Sequence, residues 1–125
     1  MILVEQINEA YQTATSYPNL VAKLISIGVQ SYTGEVSTGI RLFRFNVGVH
    51  ELHLQNNIAR NVNDDFNFDL TVNAIKDNQQ GKTTFPEFLN EIAKAGVRFY
   101  EATFTGNLRV TYIGAGGFYE EAIPL

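Results

Sequence analysis

Along this chain, apolar residues at helical spacing give way twice to alternating ones, and each change of period marks a boundary between elements. Val4, Ile7, Tyr11 and Ala14 share one face of a helix predicted over about 4–14. Leu20, Val21, Leu24 and Ile27 give a second helix its buried stripe. Ser16-Tyr17-Pro18 opens that helix: Ser16 serves as N-cap, and Pro18 sits in the first turn, where a missing N–H removes no helical bond. Gly28 stands where a left-handed residue stops a helix, and Val29 supplies the apolar contact that follows such a stop. Beyond it the period is two. Two strands flank the Ser37-Thr38-Gly39 turn, and a third is predicted over 49–54, after a turn at 46–48.

The second half of the chain repeats the plan. Sliding the sequence on itself so that Gly28 meets Gly96 aligns Ser16-Tyr17-Pro18 with Thr84-Phe85-Pro86, and Tyr32 with Tyr100. The same register runs without a gap from Val4/Val72 to Gly48/Gly116 and also matches Ile7/Ile75, Gln12/Gln80, Thr15/Thr83 and Arg41/Arg109. Asp69 is the expected N-cap before Leu70, and Gly81 the expected stop. Thr84-Phe85-Pro86-Glu87 reads as a capping box, followed by a stripe of Phe88, Leu89 and Ile92. Strands over 97–104 and 107–113 meet at a Gly106-Asn107 turn, and a third over 118–123 follows Gly114-Ala115-Gly116-Gly117. The expected fold is α+β: a tandem duplication of an ααβββ unit in a single domain, 1–125, with repeats at about 2–54 and 69–123 and a connector at 55–68. The strands would form one antiparallel sheet or two small ones, with helices packed mainly on one face.

Composition narrows the function classes. The chain is 45% hydrophobic over 125 residues, enough for a core of its own. Its net charge is −4, the acidic excess falls after Asn63, and Arg41, Arg44 and Arg60 are scattered, so no nucleic-acid partner is expected. No apolar run approaches the roughly 20 residues of a spanning helix, so no membrane insertion is expected. Met1-Ile2-Leu3-Val4-Glu5 lacks a basic n-region, which predicts no signal peptide and a cytoplasmic location. With no cysteine there is no disulfide, thiolate site or cysteine nucleophile.

The apparent motifs dissolve on inspection. His50 and His53 lie three apart on a predicted strand and so diverge, which argues against a metal site. The alternating Asn61, Asn63, Asp65, Asn67 and Asp69 suggest a calcium loop, but Phe66 occupies the place of its glycine and Val72 that of its glutamate. Gly81-Lys82-Thr83 lacks the first glycine of a phosphate loop, and Gly114-Ala115-Gly116-Gly117 leads into no helix. Glu120 and Glu121 point to opposite faces of a strand and form no acid–base pair. No catalytic residue, cofactor or metal is therefore expected.

Two constellations remain. The repeated Tyr32/Tyr100 and Arg41/Arg109 would come together near a pseudo-two-fold axis and could bind an anionic or planar ligand. The strand around 40–47 is apolar on both faces, with Ile40 and Leu42 on one and Phe43, Phe45 and Val47 on the other; the latter face is a candidate interface for a homodimer.

The stretch from Asn78 to Phe88, with Ala93-Lys94-Ala95-Gly96-Val97 and Arg109-Val110-Thr111-Tyr112-Ile113, resembles a YbcV-like family of small bacterial and prophage-encoded proteins of unknown function. Gly28-Val29 and Ser37-Thr38-Gly39 resemble the first half of that family, while Phe99 departs from its charged strand. Members are sometimes labelled phage envelope protein. The resemblance implies a bacterial or prophage setting and possible association with a virion, and it transfers no active site. The functional expectation is a non-enzymatic binding or protein-interaction module. The alternative is a small-molecule-binding protein or enzyme with its pocket between the two repeats.

Overall fold

The computed structural model describes residues 3–46, 48, 50–54 and 59–123, the strand at 50–54 by its backbone alone. Its elements run α1 (Leu3–Thr13), α2 (Tyr17–Ser26), β1 (Val29–Glu35), β2 (Ile40–Phe45), β3 (His50–Leu54), α3 (Phe68–Gln79), α4 (Phe85–Lys94), β4 (Val97–Thr103), β5 (Arg109–Gly114) and β6 (Gly117–Ala122). The fold is α+β. The strands form a single antiparallel sheet of six in the order β3-β2-β1-β4-β5-β6, so the two halves meet at the β1–β4 pair.

The helix ends follow from local chemistry. The Thr84 hydroxyl accepts from the Glu87 N–H at 3.3 Å, and the Glu87 carboxylate accepts from the Thr84 N–H at 2.9 Å, completing the capping box. Ser16 accepts from the Asn19 N–H, but the Asn19 side chain reaches back one residue further, to the Thr15 N–H. Helix α3 is capped by Asn67 and not by the expected Asp69: the Asn67 side chain accepts from the Leu70 N–H at 2.9 Å. A tertiary bond from the Asn67 N–H to the Ala95 carbonyl fixes the chain there, which leaves Asp69 in the first turn, where its charge suits the helix dipole. Gly28 and Gly96 take φ of 98° and 83°, the left-handed geometry their positions required.

Register across the sheet corrects the gapless alignment. Tyr32 lies opposite Phe43 on β2, whereas Tyr100 lies opposite Tyr112 on β5. Phe43 therefore corresponds in space to Tyr112, and Arg41 to Val110, because the turn between β4 and β5 is one residue longer than that between β1 and β2. A slip of one residue moves a side chain to the other face of a sheet. Arg41 thus points into the core, and Arg109 points out.

The core joins Ile7, Leu20, Val21, Leu24, Ile75, Phe88, Leu89 and Ile92 of the helices to Tyr32, Phe43, Phe45, Tyr100, Val110 and Tyr112 of the sheet. Phe43 and Phe45, expected at an interface, are buried in this core, because they share the strand parity of the inward face; Val47 lies outside the described residues. The chain between the halves is pinned by backbone bonds from Arg60 to Ser37, Asn63 to Ala93 and Phe66 to Ala115. The Phe66 ring rests on Gly114 and Gly117: a Cβ at Gly117 would meet the ring at 2.7 Å, and one at Gly114 would meet the Gly96 carbonyl oxygen at 2.2 Å, which accounts for these two glycines of the last hairpin. Among the described residues no helix is long and apolar enough to cross a membrane.

Candidate functional site

The inward face of the sheet carries an unusual load of phenols. On β1 and β4 the two tyrosines that match in sequence pair across the junction with the smallest residues: Tyr32 lies opposite Ala102, and Tyr100 opposite Gly34. Their rings meet edge to face at 6.4 Å, and Tyr112 lies 6.4 Å beyond Tyr100. Each helix that follows a Ser/Thr cap starts with an aromatic residue before its proline, and those residues, Tyr17 and Phe85, reach over the same region. The Tyr17 and Tyr32 hydroxyls share a hydrogen bond of 2.7 Å. Tyr17 and Phe85 remain 39% and 38% exposed, so they form the rim while Tyr32, Tyr100 and Tyr112 form the buried wall.

Between these walls lies a cleft of ≈ 760 Å³, lined among others by Tyr17, Tyr32, Phe85, Tyr100, Tyr112 and Glu121. An adjoining recess of ≈ 350 Å³ shares Tyr17, Tyr32, Phe85 and Tyr100 and adds Tyr11 and Arg41. Both volumes are in the range of small-molecule sites, about 300–1,000 Å³.

Arg41 is the one charged residue in the buried core among the described residues, at 1% exposure. Its guanidinium carbon lies 4.4 Å from the centre of the Tyr11 ring and 5.1 Å from that of Phe85. These cation–π contacts offset part of its desolvation. No ion pair reaches it: among the described residues the salt bridges are those of Arg44 with Glu101, Lys82 with Asp77 and Arg109 with Glu120. Its Nε and Nη2 are buried and have no hydrogen-bond partner among the described residues. Burial opposes its charge, but the oxygens of Tyr11, Tyr100 and Tyr32 outweigh that effect and hold the guanidinium above its ordinary value.

Burial raises the phenols of this region. Tyr32 stands well above its ordinary value, and Tyr100 is pushed up to about 12 by burial although Arg41 pulls it down. Tyr11 and Tyr17 are raised by the same desolvation, as is Tyr112. At neutral pH the cleft and its recess therefore present neutral hydroxyls, flat apolar walls, the acidic Glu121 and one permanent cation, Arg41. That combination supplies recognition: hydrogen bonds, stacking and charge.

Of the four residues read from the sequence as a pocket, the structure brings Tyr32, Tyr100 and Arg41 together. Arg109 is absent from the cleft, because the slip in register turns it to the opposite face, where it meets Glu120 at 3.2 Å. Sequence reasoning missed Tyr11, Tyr17, Phe85 and Tyr112. The aligned aromatics before Pro18 and Pro86 were a usable signal, since a cap needs no large ring there. His50 and His53 have side chains outside the described residues, and no cluster suited to a metal occurs among the described ones.

Comparison with curated proteins gives no match. A family model described as "Protein of unknown function (DUF1398)" matches residues 5–117, and the chain belongs to that family.

Proposed function

We propose that this chain is a small-molecule-binding module that holds a flat organic ligand in the tyrosine-lined cleft where its two ααβββ halves meet. The observation that carries this reading is the convergence of Tyr17, Tyr32, Tyr100 and Tyr112 on one cleft, with a buried Arg41 in its recess that forms no ion pair among the described residues. A tandem duplication accounts for the convergence. The element order occurs twice, and Thr33 pairs with its own sequence equivalent Glu101 at the centre of the sheet, where a pseudo-two-fold axis would pass. The test is a thermal-shift screen of small planar aromatics against the wild type and Tyr100→Leu. Stabilisation of the wild type that is lost in the variant is expected. A screen in which no aromatic raises the melting temperature would overturn the reading.

A second reading, the protein-interaction module, rests on the other face of the sheet. There Phe99, Ile113 and Phe118 pair in a row across β4, β5 and β6 with exposures of 41%, 40% and 67%. Such a row is the kind of apolar patch that mates with a partner, and it replaces Phe43 and Phe45 as the candidate dimer face. Sedimentation of the wild type and Phe118→Ser tests it: a dimer that dissociates in the variant favours this reading, and a monomeric wild type counts against it.

A further inference from the structure

We infer that the recess selects a planar organic monocarboxylate, whose two oxygens are clamped by the Nε and Nη2 edge of Arg41 while its ring lies among the surrounding aromatics. The inference rests on the ligand-binding reading above and names the class of ligand.

Arg41 shares the inward face of β2 with Phe43 and Phe45, so a side chain that is always charged is fixed at 1% exposure. An isolated buried cation is costly, and proteins normally pair it with an acid. Among the described residues its neighbours are aromatic, and the Tyr11 and Tyr100 hydroxyls act on the guanidinium as well. The Tyr11 and Phe85 faces lessen the charge penalty, but a ring face offers the in-plane N–H donors no acceptor.

The two nitrogens left without a hydrogen-bond partner among the described residues are adjacent on the guanidinium. Nε and Nη2 form one edge of the group, and their parallel N–H bonds match the spacing of two carboxylate oxygens. The surroundings favour one negative charge over two. Arg41 is the single cation among the described residues that line the recess, and Glu121 lines the adjoining cleft, where it would repel a dianion such as a phosphate monoester more strongly than a monoanion. The phenols beside it are neutral at physiological pH and can donate to the same oxygens. A flat body follows from the walls: the rings of Tyr17, Tyr32, Phe85 and Tyr100 line both the recess and the adjoining cleft.

The test is calorimetric titration of the full chain with benzoate, phenylacetate and 4-hydroxyphenylacetate, each paired with its primary amide. The acids should bind the wild type about tenfold or more tighter than the amides, as expected for a hydrogen-bonded charge pair. Arg41→Met should abolish that preference, and Arg41→Lys, which keeps the charge but lacks the paired edge, should reduce it. Should Arg41→Met fail to fold, the wild-type preference and its reduction in Arg41→Lys decide the matter. Acids and amides of equal affinity would overturn the carboxylate clamp and leave the cleft reading intact. A preference for acids that survives both substitutions would overturn the role of Arg41. Binding by none of these acids overturns the inference; the thermal-shift screen of neutral aromatics then decides separately whether the cleft binds anything.

Discussion

Gly34 offers the sharpest test of how the cleft is built. A Cβ added there would lie 2.1 Å from Cζ and 2.4 Å from the hydroxyl oxygen of Tyr100. Carbon atoms in contact prefer about 3.5–4 Å, so Gly34→Ala would force the ring outward by roughly 1.5 Å. The ring cannot yield freely: Tyr100 is 7% exposed and packs against Tyr32 and Tyr112. Overpacking of this kind costs about 1–3 kcal/mol. For a chain of this size that lowers the melting temperature by roughly 3–15 °C. Thermal and urea unfolding followed by circular dichroism would measure the change. The cause is isolated by repeating the substitution in a Tyr100→Leu background, which removes the atoms that collide. There Gly34→Ala should be neutral, or stabilising by up to about 1 kcal/mol, since alanine is the better residue in a regular element. A coupling energy near zero, with equal destabilisation in both backgrounds, would refute the proposed packing of Tyr100 over Gly34.

Three further outcomes follow from the same structure. Gly96→Ala should be far more damaging than Gly81→Ala in urea unfolding. Both positions have positive φ, but at Gly96 the new Cβ would also meet the Asp65 carbonyl oxygen at 2.2 Å, whereas nothing lies near it at Gly81. The Thr84 backbone N–H, followed by its hydroxyl, holds the Glu87 carboxyl below its ordinary value. Its contribution is therefore present above the ordinary carboxylate value and lost as pH falls through the depressed one, so Glu87→Gln should flatten the acid limb of a stability–pH curve. Burial holds Tyr32, Tyr100 and Tyr112 protonated in the folded protein. Their stabilisation is complete below the ordinary phenol value of 10.0 and is lost as pH rises past it. Ultraviolet titration of the folded chain should show these phenols ionising only together with unfolding; ionisation near the ordinary value without unfolding would contradict their burial.

Much of the fold was legible because it rests on local chemistry. The Ser16 and Thr84 caps, the Gly28 and Gly96 stops and the change of period after them depend on residues a few positions apart, and the structure holds them where the pattern put them. What was illegible depends on contacts between distant segments. Asn67 displaced Asp69 as cap because the Ala95 carbonyl holds its backbone, and no spacing in the sequence announces that bond. Whether the strands make one sheet or two turned on the β1–β4 pair, which joins the halves. The match of Arg41 with Arg109 misled, because one extra residue in a turn reverses every face beyond it. The parity of Arg41 with Phe43 and Phe45 was on view in the sequence all the same. It would have placed the arginine inside, against the habit of assigning charged residues to solvent.

On this reading, ligand recognition belongs to the cleft and not to the open face of the sheet. Nuclear magnetic resonance of aromatic and methyl side chains, recorded as phenylacetate is added to the wild-type chain, is the decisive measurement. The resonances of Tyr11, Tyr32 and Tyr100 should move together and saturably, while those of Phe99, Ile113 and Phe118 stay in place. Movement confined to Phe99, Ile113 and Phe118, or no saturable movement in the tyrosines, would contradict it.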